Sequence, residues 1–279
     1  MARISILTTA YNKQNFISEC IQSVIDSSFQ DWEMIVLDDC SNDDTFEIVS
    51  KYAEIDSRIK LFKNDVNLGD YANRNKVVTF STAEYIKFLD ADDCIYPWAI
   101  EYILKYFNQR PDVSWALDSI NQCDEKPFPI VIEASEIYHW HINLGFSIFS
   151  KAPTSSTFKR DFFIQKGGFK ELPMVGDMEF WLRLAIDSKL MLLPHGLIWS
   201  RGVVNNDSES SRNNSKLEII LLYDRIFSYY LNKIEFPDSS KFRFKYNLLF
   251  MKNFLKICLF PIRLKKHNSL YGLFLKNKI

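Results

Sequence analysis

Glu84-Tyr85-Ile86-Lys87-Phe88-Leu89-Asp90-Ala91-Asp92-Asp93 decides how this chain folds. An apolar run with strand character ends abruptly in three carboxylates, and Pro97 follows as a first-turn residue of a helix. A buried strand that stops in concentrated negative charge suits the C-terminal edge of an open α/β sheet, where such sheets bind ligands. Two aspartates one residue apart on an irregular turn can offer hard oxygens to a divalent cation and to a ribose hydroxyl. A nucleotide diphosphate requires both.

Upstream the pattern repeats. Ile4-Ser5-Ile6-Leu7-Thr8-Thr9 reads as a strand and Ala10-Tyr11-Asn12-Lys13 as the turn leaving it. Asn15 is the expected N-cap of a helix carrying Ile17, Cys20, Ile21, Val24 and Ile25. Met34-Ile35-Val36-Leu37 is a strand of the doubly buried kind that also ends in acid, at Asp38 and Asp39. A second helix carries Ile48, Val49, Tyr52 and Ala53, and Ile59-Lys60-Leu61-Phe62 makes a third strand. A helix with Asn73-Arg74-Asn75 follows the turn at Asn67-Leu68-Gly69. Strands alternating with helices imply right-handed parallel crossovers, which gather Asp39 and Asp90 to Asp93 along one edge.

Downstream, Val113-Ser114-Trp115-Ala116-Leu117 is another strand. The pattern then weakens over 121–158, as expected of a lobe that shapes a pocket; His139 and His141 flank Trp140 without a third ligand at metal spacing, and Ser155-Ser156-Thr157 reads as loop. Gly176-Asp177-Met178-Glu179-Phe180-Trp181 opens a helix with Asp177 at its start, where the helix N-terminus favours an acid. A short strand over 190–193, a polar loop over 204–215 and helices over 217–233 and 241–260 complete the reading.

The formal net charge of −1 conceals an asymmetry. No Asp or Glu follows Asp238, so the first 240 residues carry −11 and the remainder +10. The tail, with Phe254, Leu255, Ile257, Leu259 and Phe260 among its lysines, has the composition of an interfacial helix drawn to anionic lipid, the alternative being a basic helix docked on the acidic body. No recognised nucleic-acid-binding pattern accompanies its charge. The N-terminus runs straight into a strand without a signal-peptide pattern, so the expected compartment is cytoplasmic, with peripheral contact on the inner face of the membrane. Five cysteines without paired or metal-ligand spacing are expected to be reduced thiols.

In this order the stretches resemble a family 2 glycosyltransferase of the GT-A fold. The matching pieces are Ile6 to Asn12, Val36 to Asp43, Asn67-Leu68-Gly69 through Asn75, Tyr85 to Asp93 as a DXD-type motif, and the acidic helix at Asp177. The resemblance implies an α/β, Rossmann-like mixed sheet, mostly parallel and flanked by helices, with a C-terminal helical extension. It implies a glycosyltransferase domain over 1–205, with a nucleotide-binding half over 1–108 and an acceptor-binding half over 109–205, and an extension over 206–279. It further implies inverting transfer of a sugar from a UDP-linked donor to an acceptor hydroxyl, in polysaccharide or lipid-linked glycan synthesis. Carried over residue by residue, Thr9, Tyr11 and Asp39 hold base and ribose, Tyr11 by stacking and Asp39 by accepting from the uracil, with Arg74 near the same pocket. Asp92 ligates Mg²⁺ or Mn²⁺ bridging the phosphates, Asp90 sits beside the ribose or the metal, and Asp177 is the catalytic base. Three positions depart from the pattern: Gly176 stands where many members have Glu, Ala10 precedes Tyr11, and Cys40 replaces a usual Gly. Arg201 lies in the late loop with no His close behind it.

The chemistry asks for this minimum. A cation that neutralises the departing diphosphate takes the place of a general acid, and a carboxylate on the opposite face must take the acceptor proton. Helix phase leaves Glu179 open as an alternative base. A nucleotide-sugar-binding module without activity would keep Asp39 and Asp92 and dispense with Asp177. A sugar nucleotidyltransferase would need a glycine-rich loop after its first strand, and residues 8–13 contain no glycine.

Overall fold

Alternation of apolar strands with amphipathic helices builds the frame seen in the computed structural model, which describes residues 2–119, 126–145, 147–201 and 216–233, with 244, 246–248 and 251. The chain runs β1 (Ile4–Ala10), α1 (Ile17–Ile25), β2 (Trp32–Asp38), α2 (Thr45–Ile55), β3 (Ile59–Lys63), α3 (Asp70–Val78) and β4 (Tyr85–Phe88). After β5 (Cys94–Ile95) and α4 (Ala99–Gln109) come β6 (Trp115–Asp118), β7 (Ile130–Ile132), α5 (Ala134–Ile142), β8 (Ser156–Lys159) and α6 (Arg160–Gln165). Then follow α7 (Gly176–Leu184), β9 (Leu190–Leu193), β10 (Ile198–Trp199) and α8 (Lys216–Leu231).

The main sheet has the order β3-β2-β1-β4-β8-β6-β9-β7. The β1, β2, β3 and β4 pairings are parallel, as is β6 with β9, while β8 runs antiparallel between β4 and β6, and β7 antiparallel on β9. Parallel pairing with helical crossovers leaves the C-terminal ends of β1, β2 and β4 on one edge. A second sheet pairs β5 with β10 and ties Cys94 and Ile95, just past the acidic turn, to Ile198 and Trp199.

Two packed layers hold the sheet. On one face Ile4, Ile6, Met34 and Val36 meet Ile21 and Val24 of α1, Val49 of α2, and Ile100, Ile103 and Phe107 of α4. An aromatic cluster of Phe88, Phe158, Phe163, Phe169, Phe180 and Trp181 surrounds α7, and Trp115 stacks on Trp181 at 6.0 Å between ring centres. Rings of this size each stabilise by about 1.5–3 kcal/mol when fully buried, so the start of α7 is held on a rigid base.

Several local expectations are corrected. The N-cap of α1 is Phe16, not Asn15, because the amides of Phe16 and Ile17 both bond Lys13 O and make a turn first. Helix α4 begins at Ala99, so Pro97 precedes its first turn. Ser156 and Thr157 belong to β8, a strand buried in mid-sheet, rather than to a loop. The weakly patterned stretch also contains β7 and α5.

The chain divides into a unit of residues 1–172 and 176–204 and a second of 173–175 and 205–279. In the second, Phe227 of α8 stacks on Tyr246 at 4.3 Å, and Tyr246 Oη donates to Asp224 at 2.7 Å. The expected loop over 204–215, most of the helix over 241–260 and the basic tail beyond it lie outside the described residues. No described helix is long and apolar enough to cross a membrane.

Candidate active site

The turns that leave β1 and β2 are laced together. Asn12 N–H donates to Ser41 Oγ (3.0 Å), Asn42 N–H to Asn12 Oδ1 (2.9 Å) and Lys13 N–H to Thr45 Oγ1 (2.7 Å). Asn12 and Cys40 take left-handed backbone, φ +53° and +63°, to turn at these strand ends. Thr9 and Tyr11, both partly exposed, stand at the end of β1 beside this lacing. Asp39 is buried, and its carboxylate faces a single loop: Oδ1 accepts from Asn64 Nδ2 (2.7 Å) and Leu68 N–H (2.9 Å), Oδ2 from Gly69 N–H (2.9 Å). Gly69 supplies the positive φ, +85°, with which that loop enters α3. Asp38 accepts the Ser41 amide at 3.0 Å, a turn-forming bond.

The acidic turn after β4 is held by cations. Arg74, buried on α3, pairs with Asp70 and with Asp90, each at 2.7 Å. It therefore stands with the acidic turn rather than with Asp39. Asp92 pairs with Lys13 from the β1 turn. Beneath both lies Lys87, wholly buried, which donates to Thr154 O (2.7 Å) and pairs with Asp118 (3.2 Å); Thr154 Oγ1 in turn accepts the Asp90 amide (3.3 Å). Asp93 caps no helix; it accepts the Arg201 amide at 3.1 Å, and burial with the nearby Asp90 charge pushes its carboxyl up to about 6. Arg201 also donates to Asp92 O (3.0 Å) and lies over the rings of Phe16 and Trp199.

Asp177 opens α7. Its Oδ1 accepts from Met178 N–H (2.7 Å) and from the Tyr71 hydroxyl (3.0 Å), and among the described residues Oδ2 has no hydrogen bond. Burial raises its carboxyl to about 6, against the two hydrogen bonds and the Arg74 charge that favour the anion. A carboxylate near this value is ionised at neutral pH and still basic enough to take a proton. Glu179 is different: fully buried, it pairs with Lys170 and Arg183, both at 3.1 Å. Two cations and no exposure remove it from consideration as an acceptor-facing base. His141 accepts the Phe149 amide at 3.3 Å and is pushed down to about 4 by burial, while His139 bonds Asn143.

Among the described residues no three His, Cys, Asp or Glu side chains gather as a metal cage. Magnesium-type ions bound with substrate phosphates use only one or two carboxylates, and Asp92 fits this: it is about one-third exposed, and its partner is a single lysine on a flexible stem. Tyr71, Lys13 and Lys87 stand at the site and were not singled out by pattern, whereas Arg201 was noted in the late loop. Lys13 could have been found from its place in the turn after β1, whereas Tyr71 and Lys87 read as ordinary core positions.

A family model described as glycosyl transferase family 2 matches residues 5–164, from β1 into α6. An uncharacterized glycosyltransferase of Methanocaldococcus jannaschii is 28% identical over 252 residues, 86% of this chain and 81% of that protein. A β-1,3-glucosyltransferase of Campylobacter jejuni, named for a GalNAc(5)-diNAcBac-PP-undecaprenol acceptor, is 32% identical over 110 residues, 39% of this chain and 32% of its own. The structure of S. aureus TarS 1-349 in complex with UDP-GlcNAc has a TM-score of 0.65 at 18% identity, covering 86% of this chain and 69% of that one. The mannosyltransferase PcManGT of Pyrobaculum calidifontis, in complex with GDP-Man and Mn²⁺, has a TM-score of 0.64 at 15% identity, covering 85% and 66%. With more than half its length matched and its acidic strand ends on the expected edge of a GT-A sheet, the chain belongs to glycosyl transferase family 2.

Proposed function

We propose that this chain is an inverting, metal-dependent glycosyltransferase that moves a sugar from a UDP-linked donor to an acceptor hydroxyl of a polysaccharide or lipid-linked glycan. The observation that carries this reading is the double hold of α3. Three residues apart on that helix, Tyr71 bonds Asp177 and Arg74 pairs with Asp90, so one rigid element ties the helix-start acid to the DXD-type turn. Donor complexes of TarS and PcManGT on the same fold support a nucleotide-sugar donor, and the manganese in the latter supports a divalent ion.

Thr9, Tyr11 and Asp39 take the base and ribose, Tyr11 by stacking and Asp39 with the acceptor site left on Oδ2, since Oδ1 already takes two donors. Asp92, with Asp90 beside it, holds Mg²⁺ or Mn²⁺, whose chemistry when bound is to neutralise the diphosphate as it departs. Asp177 Oδ2 removes the proton from the attacking hydroxyl, and a single displacement inverts the anomeric centre. The +10 tail brings the protein to an anionic membrane surface, where a lipid-linked acceptor resides.

Two variants test the reading. Asp92→Ala is expected to abolish Mn²⁺-dependent UDP binding by calorimetry. Asp177→Asn is expected to bind UDP normally while release of UDP from a panel of UDP-sugars falls by about 10²–10⁴. Normal turnover by Asp177→Asn would remove the base assignment, and absence of UDP binding by the parent protein with Mn²⁺ would remove the whole reading.

A further inference from the structure

We infer that Tyr71 is the positioning residue of the base, and that the glycine at 176 exists to admit its ring. The inference rests on the reading of Asp177 as the base, and its own evidence is steric. Gly176 lies in α7 outside the left-handed region, so its conformation does not call for glycine. Its surroundings do. A Cβ there would stand 2.7 and 2.8 Å from Cε2 and Cδ2 of Tyr71 and 2.4 Å from Lys170 O, all closer than real Cβ contacts come. A residue with any side chain would expel the ring or break the start of the helix.

The ring has little room to move. Tyr71 is buried, and its ring also packs on Phe169 at 5.6 Å between centres, itself packed against Phe88, Phe163, Phe180 and Trp181. Packed against the Gly176 backbone and this cluster, the ring delivers its hydroxyl to Asp177 Oδ1 at 3.0 Å. Met178 N–H takes the same oxygen from within α7. Two donors on Oδ1 fix the rotation of the carboxylate and leave Oδ2 for the acceptor proton. Burial and the adjacent Asp177 charge hold the Tyr71 phenol far above its ordinary range, so it acts only as a donor. Gly176 thus has a partner in this chain: the tyrosine on α3 whose ring occupies space that a side chain at 176 would need.

The charged and titratable groups facing Asp177 set the sign of the test. From α3 come the Tyr71 hydroxyl and the Arg74 cation, which favour the anion, and Asp70, which opposes it; from α7 comes the Met178 amide, which favours it. Lys170, whose carbonyl touches Gly176, spends its ammonium on Glu179. Removing the Tyr71 hydroxyl removes one bond to the charged form, so the Asp177 carboxyl must titrate higher.

The experiment is a ¹³C-carboxylate NMR titration of aspartate-labelled full-length protein, with the Asp177 signal assigned by its loss in Asp177→Asn, run beside the pH profile of UDP release from UDP-sugars. Tyr71→Phe keeps the ring and is expected to raise the Asp177 midpoint from about 6 by about half to one pH unit. The acid limb of turnover should move with it, lowering the rate about two- to fivefold at pH 6 and much less at pH 8, with UDP affinity unchanged. Gly176→Ala should displace the ring and give the same shift, and the double variant no further one. An unmoved midpoint in Tyr71→Phe overturns the inference while leaving Asp177 as base. A midpoint that moves without the acid limb of turnover, or normal turnover in Asp177→Asn, overturns the base assignment instead.

Discussion

The two acidic strand ends, Asp38-Asp39 after β2 and Asp90 to Asp93 after β4, look alike in sequence and are held in opposite ways. Asp39 is buried and satisfied by Asn64 and by the amides of Leu68 and Gly69, neutral donors of one loop. Asp90 and Asp92 are more open and face cations from other elements, Arg74 and Lys13. Backbone amides cannot leave Asp39 without unravelling the loop into α3. A lysine on a four-carbon stem can leave Asp92 at little cost, since exposed ion pairs contribute only about 0–1 kcal/mol. The first end is built to stay as it is, and at the second Arg74 holds Asp90 while Asp92 is free to change partners. Under the proposed function, that division would suit a preformed base-and-ribose end and a diphosphate end at which Asp92 would give up its lysine to a metal ion.

The comparison is most exposed to a pair of alanine variants. Asp39→Ala strips three donors of their acceptor and is expected to cost about 2–4 kcal/mol in denaturant unfolding. Asp92→Ala breaks one partly exposed pair and should cost under about 1 kcal/mol, even as it removes metal-dependent nucleotide binding. Equal losses of stability would show that the two ends do not differ in the way their partners imply.

Next in size is the effect of freeing Asp92. Lys13→Met removes the competing ammonium, so Mn²⁺ without nucleotide should bind about two- to tenfold more tightly by calorimetry, while UDP–Mn²⁺ should bind more weakly for want of a cation near the phosphates. Metal affinity unchanged by the substitution would mean that Lys13 does not stand in for the ion.

The sheet edge was legible because its signals are local. Each of β1, β2 and β4 is a short apolar run followed by polar turn residues, and alternation with helices dictates parallel pairing, which alone brings Asp39 and Asp90 to one edge. Strand β8 was not legible: Ser156-Thr157-Phe158-Lys159 is half hydroxylated, and Ser156 is buried only because Oγ donates to Pro153 O at 2.6 Å. Asp177 was put forward by its place at a helix start and by the family resemblance, but the choice between it and Glu179 was not legible, because Lys170 and Arg183 reach Glu179 through packing rather than through helix phase alone. Tyr71 carried no signal, since its partner lies across 106 residues of chain. Contacts between α3 and α7 leave no period in either helix.

The smallest effect concerns backbone rather than charge, and it should differ in sign between the two ends. Cys40, directly after Asp39, adopts φ +63°, a region that costs a residue with a Cβ about 1–2 kcal/mol. Its thiol gains little in return, with only a long 3.8 Å contact to Asp65 O. Glycine pays no such strain but loses about 0.5–1 kcal/mol of chain entropy on folding, so Cys40→Gly should stabilise by about 0.5 kcal/mol net. Ala91, at the corresponding place between Asp90 and Asp92, is buried and has no positive φ. There Ala91→Gly pays the entropy without relief and loses a packed methyl, so it should destabilise by about 1 kcal/mol. Both are read as midpoint shifts in urea at constant slope. A strand end that gains from glycine beside one that loses would place the stored strain at the end fixed by backbone donors. Two losses would mean that the turn at Cys40 is relaxed and that the rigidity of the Asp39 end comes from its hydrogen bonds alone.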